Sequence, residues 1–394
     1  GSDMSGRRLG LGPSPEELKT PAVLAELNEN LAEVKGRLQL PPEIERALRD
    51  GAWAVFNLSG GKDSSAALFA TMLALDAIGH PRSRRIAVHA DLGRAEWDST
   101  PDMVEALAVR AEIPLHVRRR RGGDLIDRWE QRFANGKARY ENLEIYNLIG
   151  PWSSASLRFC TSEQKAQVLG PFLAREFAGE TIVQIIGIRR DESAARSKAP
   201  EWKPDDRFAR PGNANGTAMM VWHPIVHWAT DQVFALHDAL GIPLHEAYTC
   251  YGSTRLSCRY CVLQSLADAK ASASAPTNRE ALLQLVDLEA RSTFSFQPAR
   301  WLADTAPHLL PTTLRADIER AKRDAAERRA LEAAMPADLR FCKGWPPRLP
   351  TLDEATRIAA TRASILARHR LENRFSDARA VRSRFEQLML AKSA

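Results

Sequence analysis

A seven-residue segment with the chemistry of a phosphate site occupies positions 59–65, Ser-Gly-Gly-Lys-Asp-Ser-Ser. Its two glycines let the backbone approach a ligand closely and adopt positive φ without steric cost. Where a helix begins, the first N–H groups and the helix dipole favour an anion. Lys62 would add a mobile positive charge. The order of residues excludes the G-x-x-x-x-G-K-[ST] loop. The alternative is a Gly-Ser hairpin that carries a lysine and an aspartate by coincidence.

Cysteines form a second constellation, at positions 160, 250, 258 and 261. Cys258 and Cys261 share one turn, and Cys160 lies at an apparent helix start, where a thiolate is favoured. Four thiolates can hold a [4Fe–4S] cluster or Zn²⁺. The third alternative is that these cysteines bind no metal. A fifth cysteine, Cys342, is expected to be a buried thiol.

The elements around these residues predict alternating strands and helices. The apolar run 53–58 precedes the first motif, and a helix at about 64–79 follows it. Further strands are expected at 86–90, 115–117 and 181–188, with a helix at 99–112. Such alternation is typical of parallel βαβ units, in which ligands bind at the carboxyl ends of the strands.

Several side chains should therefore converge on one crevice with residues 59–65. Asp91 follows the second strand and is expected either to bind Mg²⁺ or a ribose hydroxyl, or to cap a turn. Arg189 and Arg196 follow the later strand, after Gly187, and their guanidinium groups suit phosphate or sulfate oxygens. The alternative for both arginines is a surface ion-pair cluster with Asp191 and Glu192.

The chain is long enough for more than one domain. We expect an N-terminal helical segment at 1–50, a nucleotide-binding domain at 51–240, a cysteine-rich segment at 241–275, and a helical basic domain at 276–394. Helix starts are predicted at 13–18 and near Pro41. The Pro- and Gly-rich stretch 197–220 is expected to form a mobile loop or lid.

Charge and hydropathy restrict the partners. The formal net charge is +6, with arginines at 118–121 and along the last helices. These favour a polyanion such as nucleic acid, or else form solvated helix faces. No apolar run reaches the ~20 residues needed to cross a bilayer, so we expect a cytoplasmic protein without a membrane partner.

The 59–65 segment resembles the S-G-G-x-D-S PP-loop of the ATP pyrophosphatases. Four further stretches resemble motifs of the phosphoadenosine-phosphosulfate (PAPS) reductase family; they run from His89 to Glu96, from Arg158 to Lys165, from Gly187 to Arg196, and from His223 to Cys261. The resemblance implies an α/β fold of the adenine nucleotide alpha hydrolase type. That fold is a parallel twisted sheet with helices on both faces, here with a helical C-terminal region added.

The resemblance also implies what these residues bind. ATP, or a PAPS-like nucleotide, would lie over 59–65 with Mg²⁺. Catalytic roles fall on Lys62, Asp63, Arg189 and Arg196, and further nucleotide contacts on Ser59, Gly60, Gly61, Ser64, Ser65, Asp91 and Gly187. Iron–sulfur members use a cysteine pair and a distal C-x-x-C. Here Thr161 replaces the second cysteine of the pair, and Cys250 is the expected substitute ligand.

The sequence lacks the C-terminal E-C-G-x-H motif of thiol-dependent sulfonucleotide reductases. The resemblance therefore favours an ATP pyrophosphatase that adenylylates a nucleic-acid site for sulfur transfer. The preferred pathway is DNA phosphorothioation, as in DndC-type proteins, and tRNA thiolation is the second choice. The expected partners are DNA or tRNA and a sulfur donor such as a cysteine desulfurase, with a homodimer as one oligomeric state. The alternatives are a sulfonucleotide reductase and a non-catalytic partner subunit switched by nucleotide.

Overall fold

The computed structural model describes Leu38, residues 40–340 and residues 342–394. The predicted helix start at 13–18 lies outside these residues. The chain divides into two compact units. The first runs up to Asp124 and resumes over Phe159–Cys261, whereas the second comprises Leu125–Arg158 and Val262–Ala394. The predicted domain boundaries were sequential, and they gave no sign that an internal segment belongs with the C-terminal helices.

A six-stranded sheet with the order β3-β2-β1-β4-β6-β5 lies within the first unit. The strands are β1 (Trp53–Asn57), β2 (Arg85–Ala90), β3 (Leu115–Arg118), β4 (Thr181–Ile185), β5 (Trp202–Pro204) and β6 (Ala218–Trp222). All neighbours pair in parallel except β5, which is antiparallel to β6. The predicted parallel α/β fold is confirmed.

The two last strands lie in or beside the stretch 197–220, which the sequence predicted as a mobile loop. That prediction missed β5 and β6 because Pro and Gly residues interrupt the apolar pattern. Strand β5 has three residues and ends at Pro204. A proline is tolerated there because an edge strand has one side that forms no ladder hydrogen bonds.

The helices of the described residues are α1 (Pro42–Arg49), α2 (Lys62–Ala77), α3 (Thr100–Arg110), α4 (Leu125–Glu141), α5 (Gln167–Glu176), α6 (Thr230–Leu240), α7 (Glu246–Thr249), α8 (Leu266–Ser274), α9 (Arg279–Ser292), α10 (Thr312–Ala333), α11 (Leu352–Arg368) and α12 (Ala378–Lys392). Short helical turns at Phe159–Thr161 and Ser162–Ala166 precede α5. Within the described part of the chain, no helix has the length and apolar character to cross a membrane.

Helices cover both faces of the sheet, as strand β1 demonstrates. Successive side chains of a strand point to opposite faces. Ala54 and Phe56 belong to one buried cluster, together with residues of α1, α2, α3 and α6. Val55 belongs to a second cluster, together with Leu169, Leu173 and other residues of α5. A strand buried on both faces explains why residues 53–58 form a continuous apolar run.

The second unit has its own core, in which α11 and α12 pack together. Ile358 of α11 and Val381 and Phe385 of α12 are fully buried in this core. Cys342 was predicted to be a buried thiol and is instead exposed. It lies in a turn closed by the hydrogen bond from Trp345 N–H to the Cys342 carbonyl (3.0 Å), and the Trp345 ring is part of the core.

Arginines of the last helices make many contacts inside the second unit. Arg362 is fully buried and donates to the carbonyl of Glu141 at 3.2 Å. Arg368 forms an ion pair with Asp324, and Arg384 donates to the carbonyl of Asn142 at 3.0 Å. These three guanidinium groups hold the fold together, so the basic composition of this region overstates the charge that it offers to a polyanion.

A buried carboxylate organises the chain after α9. Glu289 has no exposed surface and accepts the main-chain N–H groups of Phe296 (2.8 Å), Leu302 (2.7 Å) and Ala303 (2.9 Å). Burial raises its pKa to about 8, against the opposing effect of the three N–H donors. The folded unit therefore binds a proton that the unfolded chain has already lost near neutral pH.

This difference predicts a pH dependence of stability. The stabilisation is complete below the unfolded pKa of Glu289 and is lost as the pH rises towards 8. The free energy of unfolding should fall by about 1 kcal/mol for each pH unit within this window. Urea unfolding at pH 5, 6.5 and 8 measures the slope. Glu289→Gln should flatten it, whereas Glu280→Gln, at an exposed position on the same helix, should not. Equal slopes for all three proteins would contradict the assignment.

Candidate functional site

The segment 59–65 joins β1 to α2, as the sequence predicted. Gly60 has φ +85°, in the left-handed region that favours glycine. A Cβ on Gly60 would lie 3.1 Å from the Thr100 Cγ2 atom and 3.5 Å from Leu256 Cδ2. Gly61 is the N-cap residue of α2, and the helix begins at Lys62. The chain thus makes a tight strand–turn–helix connection that is packed closely by its neighbours.

Hydroxyl groups of the protein accept hydrogen bonds from main-chain N–H groups of this loop. The Gly61 N–H donates to Ser59 Oγ at 3.3 Å, and the Ser59 N–H donates to Ser64 Oγ at 3.2 Å. The Lys62 N–H donates to the phenolic oxygen of Tyr248 at 3.1 Å. The sequence led us to expect N–H groups open to an anion. In this structure, hydroxyl oxygens of the protein accept these three N–H groups instead.

Three charged side chains at the loop are joined by two ion pairs, which share the Asp63 carboxylate. The Lys62 Nζ atom lies 3.4 Å from Asp63 Oδ2, and the Arg189 Nε atom donates to Asp63 Oδ1 at 2.8 Å. Lys62 is 4% exposed and Arg189 is 1% exposed. Arg189 also donates to the Trp228 carbonyl at 3.2 Å. One carboxylate therefore holds two buried cations in fixed positions.

Lys62 was predicted to be a mobile charge, and the structure instead encloses it. Its ammonium group lies 5.9 Å from the centre of the Phe234 ring and 5.7 Å from that of Tyr248. Aromatic faces attract a cation and exclude water from it. The two rings therefore restrict the positions that the ammonium group can reach.

Gly187 packs directly against the loop backbone. A Cβ at this position would lie 2.5 Å from the Asp63 carbonyl oxygen and 2.8 Å from the Ser64 nitrogen. Both neighbours are main-chain atoms, so a side chain at position 187 cannot be accommodated without moving the loop. The close approach explains how the strand that leads to Arg189 brings its guanidinium group onto Asp63.

A second carboxyl group adjoins Asp63. Glu192 lies near enough to Asp63 for that carboxylate to affect its pKa, and its Oε2 atom lies 3.4 Å from Arg196 Nη1. Burial raises the pKa of Glu192 above its usual range, and Asp63 adds to this effect against the opposing influence of Arg196. The sequence had suggested Glu192 only as an ion-pair partner. Arg196 lies at this edge of the site, where it is about a third exposed and pairs with Glu192.

Asp91, after β2, caps its own turn. It accepts the Gly93 N–H at 2.8 Å through Oδ1 and pairs with Arg119 through Oδ2. Nearby, His89 donates to the Leu58 carbonyl at 2.6 Å and lies 2.7 Å from Glu96 Oε1. Burial opposes the charge of His89, but the Glu96 carboxylate outweighs it and raises the pKa of His89. These contacts fix the second turn of the crevice.

The four predicted thiol ligands differ in their surroundings. Burial raises the pKa of the Cys258 thiol to about 12; nearby Lys165 opposes this, and charges on Cys261 and Cys160 reinforce it. Cys250 is exposed, and its sulfur lies 3.7 Å from Thr249 Oγ1. The charges of Cys160 and Cys261 therefore act on the Cys258 thiol, whereas Cys250 does not contribute to its pKa shift.

The metals expected from the sequence can be tested against these contacts. Both oxygens of Asp63 and both oxygens of Asp91 are engaged by protein groups, so neither carboxylate is open to Mg²⁺ in this arrangement. Among the described residues, no three or more His, Cys, Asp or Glu side chains are grouped so as to hold a metal ion. We therefore assign no chemical step to a metal.

Two contributors to the site escaped the sequence analysis. Tyr248 was noted only as part of a motif, and nothing in its spacing indicated that its hydroxyl group reaches residue 62. His237 of α6 accepts the Ser65 hydroxyl at 2.6 Å through Nε2, because its Nδ1 atom faces the Val233 carbonyl at 2.8 Å. Burial lowers the pKa of His237, which keeps this acceptor neutral.

Comparison with known proteins identifies related sequences. A sequence profile described as the phosphoadenosine phosphosulfate reductase domain matches residues 54–263, just over half of the chain. An uncharacterized 37.8 kDa protein in the gpa 5′ region of Escherichia phage 186 is 26% identical over 160 residues. That match covers 40% of this chain and 40% of the phage protein, so the chain spans about two fifths of the relative's length.

Solved structures resemble this chain only weakly. FMN adenylyltransferase from Candida glabrata is 16% identical, with a TM-score of 0.36, over 60% of this chain and 62% of that chain. PAPS reductase from Candida auris, in a phosphate complex, is 15% identical, with a TM-score of 0.33, over 58% of this chain and 91% of that chain. Scores this low support no inference about activity.

Proposed function

Because the chain belongs to the phosphoadenosine phosphosulfate reductase domain family, we propose that it is a nucleotide-using enzyme of the PP-loop type that cleaves ATP between its α and β phosphates. The observation that carries the proposal is the buried arrangement of Lys62, Asp63 and Arg189 on the loop 59–65. Two fixed cations beside a phosphate-type loop suit an oligophosphate whose charge must be neutralised during transfer.

The proposed reaction is adenylyl transfer. An oxygen of the acceptor attacks the α-phosphorus, the bond from the α-phosphorus to the bridging oxygen breaks, and pyrophosphate leaves with the bonding electron pair. Lys62 and Arg189 stabilise the charge that develops on the phosphate oxygens. The outer sulfur of a persulfide on a donor protein, such as a cysteine desulfurase, then attacks the adenylylated acceptor and AMP leaves with the bonding electron pair. A thiol reductant supplies the two electrons that cleave the remaining S–S bond to the donor, so that the sulfur stays on the acceptor.

We propose nucleic acid as the acceptor, with DNA phosphorothioation ahead of tRNA thiolation. Arginines 118–121 begin at the last residue of β3, whose carboxyl end lies at the same edge of the sheet as the loop 59–65. β3 is two strand positions from β1, roughly 10 Å. The side chain of Arg119 is 73% exposed although it pairs with Asp91. Exposed arginines at this distance could hold the backbone of a strand whose phosphate reaches the loop.

The experiment is pyrophosphate release from ATP by anaerobically purified protein, measured with DNA, with tRNA and with neither. Release that depends on DNA supports phosphorothioation, and release that depends on tRNA favours thiolation instead.

Sulfite release from a sulfonucleotide with a thiol donor, without ATP cleavage, would replace the proposal by the reductase alternative. Protein that binds ATP but supports sulfur transfer equally after Lys62→Ala and Asp63→Ala would be a nucleotide-switched partner subunit. Absence of ATP binding refutes the proposal.

We further propose that the thiols near Cys258 bind a [4Fe–4S] cluster, with Zn²⁺ as the alternative metal. The support is the Cys258-x-x-Cys261 spacing together with Cys160, since thiolates are the ligands of both. Cys250 is the expected fourth ligand and would have to move inward.

Cys258→Ser tests this proposal. Anaerobically prepared protein should be brown, with an absorbance band near about 400 nm, and Cys258→Ser should bleach it. Cys342→Ser is the matched control, because Cys342 is exposed and lies in the second unit, and it should stay coloured. Colourless protein with one zinc per chain would replace the cluster by Zn²⁺, and protein without either metal would refute the proposal.

A further inference from the structure

Asp191 contacts Arg189 beside the start of helix α6. Its Oδ2 atom accepts the Thr230 N–H at 3.2 Å and the Thr230 hydroxyl at 3.3 Å, and it lies 3.6 Å from Arg189 Nη1. Asp63 accepts a hydrogen bond from the same guanidinium group at another nitrogen, Nε, at 2.8 Å. Arg189 is therefore shared between two carboxylates. Only Asp63 belongs to the loop 59–65, so the position of Asp191 calls for a separate explanation.

The charges of these side chains cancel while both carboxylates are in place. Lys62 and Arg189 are the two cations, and Asp63 pairs with both of them. Asp191 supplies the second negative charge, so the four side chains together carry no net charge. Stabilising the charge of a phosphate chain requires donors and cations that are aimed at the phosphate oxygens. An oligophosphate therefore gains the full benefit of Arg189 only if one of its two carboxylates moves away.

Of the two carboxylates, Asp191 is the one that is free to move. Its side chain is 56% exposed, against 15% for Asp63. Its contacts, at 3.2 to 3.6 Å, lie at or beyond the long end of the range for hydrogen bonds. The main chain of Asp63, in contrast, is packed against Gly187. Arg189 is only 1% exposed, so a ligand reaches its guanidinium group after a covering group has moved.

We propose that the outer phosphates of a nucleoside triphosphate displace Asp191 from Arg189, so that Asp191 sets nucleotide affinity according to the length of the phosphate chain. The inference rests on the proposed binding of nucleotide at residues 59–65. A nucleotide with one phosphate binds at the loop and leaves Asp191 in place. The longer chain extends along Lys62 and Arg189, and its tethering at the loop gives the outer phosphates a high effective concentration beside Arg189. Asp191 is then a specificity-determining residue.

Asp191→Asn tests the competition by removing the charge and keeping the shape. The amide retains a side-chain oxygen that can accept the Thr230 N–H, so the start of α6 should be preserved, and thermal unfolding checks this. Equilibrium dialysis should show that α,β-methylene ATP binds about tenfold more tightly, the low end of the effect of one charge at this distance on an ionic equilibrium. AMP, whose single phosphate stays at the loop, should bind with unchanged affinity.

Asp231→Asn is the matched control. Asp231 is exposed, follows Thr230 in the first turn of α6, and accepts the Gln232 N–H of its own helix at 3.1 Å through Oδ1. Its substitution removes the same charge from the same end of the helix and leaves the contact between Asp191 and Arg189 intact. Any effect of net charge alone appears in both variants. We expect Asp231→Asn to bind both nucleotides as the unaltered protein does.

Three results would overturn the inference while leaving the proposed function intact. Asp191→Asn that binds α,β-methylene ATP no more tightly than Asp231→Asn does would show that Asp191 does not compete for Arg189. Equal tightening for AMP and the analogue would show that Asp191 does not respond to the length of the phosphate chain. Weaker binding by folded Asp191→Asn would show that Asp191 holds Arg189 in position. Unaltered protein that binds neither nucleotide would refute the proposed function, and this inference with it.

Discussion

Gly187→Ala is expected to weaken nucleotide binding by about 100-fold, the scale of a 1 Å displacement in a preorganised site. The added Cβ would lie 2.5 Å from the Asp63 carbonyl oxygen and 2.8 Å from the Ser64 nitrogen, and neither main-chain atom can rotate away. The loop must therefore shift, and the contact from Arg189 to Asp63 shifts with it. Equilibrium dialysis with α,β-methylene ATP measures the loss.

Gly122→Ala is the matched control. A Cβ at residue 122 would lie 3.1 Å from atoms of the Arg120 guanidinium group, the flexible end of a side chain that can move aside. This variant should bind the analogue as the unaltered protein does. Thermal unfolding of both variants checks that they fold. Undiminished binding by folded Gly187→Ala would show that the nucleotide does not depend on the loop backbone.

Lys62→Ala is expected to lower the rate of pyrophosphate release by about 100-fold or more, the usual effect of removing one group that stabilises transition-state charge. The expected change in nucleotide affinity is smaller, because the loop backbone and Arg189 remain. The fold should survive, since Asp63 keeps its 2.8 Å contact with Arg189. Lys62→Arg should not restore the rate, because a guanidinium group is larger than the buried ammonium group beside the Phe234 and Tyr248 rings and cannot take the same position.

Lys203→Ala provides the control for Lys62→Ala. Lys203 is exposed on the edge strand β5, and its removal changes the net charge by the same amount. Single-turnover kinetics separate the chemical step from nucleotide binding. If Lys62→Ala released pyrophosphate at the rate of the unaltered protein, the enclosed lysine would serve packing alone, and the proposed catalytic arrangement would be wrong.

Local sequence patterns were sufficient to predict the centre of the sheet. The apolar runs at β1, β2 and β4 are continuous because these strands are buried on both faces, and glycines mark the turn after β1. The edge of the sheet was harder to predict. β5 and β6 lie in or beside a Pro- and Gly-rich stretch, and β5 is held by pairing with β6. Pairing between distant segments leaves no signal in local composition.

The candidate site likewise has a part that the sequence predicts and a part that it does not. Residues 59–65, Gly187 and Arg189 carry a recognisable order, and the structure brings them together. Tyr248 and Glu192 contribute through contacts that span long stretches of chain, and their residue types are common. The second unit was the least predictable. Residues 125–158 precede half of the first unit in sequence, yet they pack with the C-terminal helices. Arg362 shows why charge alone misleads, because it is fully buried.

The site of ATP cleavage tests the central claim most directly. Protein is incubated with ATP labelled at the α-phosphate and, in parallel, with ATP labelled at the γ-phosphate, in the presence of DNA or tRNA. We predict that the α label appears in AMP or in an adenylylated acceptor, and that the γ label appears only in pyrophosphate. The two products should form in equal amounts, and both should be lost in Lys62→Ala. Formation of ADP and inorganic phosphate would contradict the proposed function.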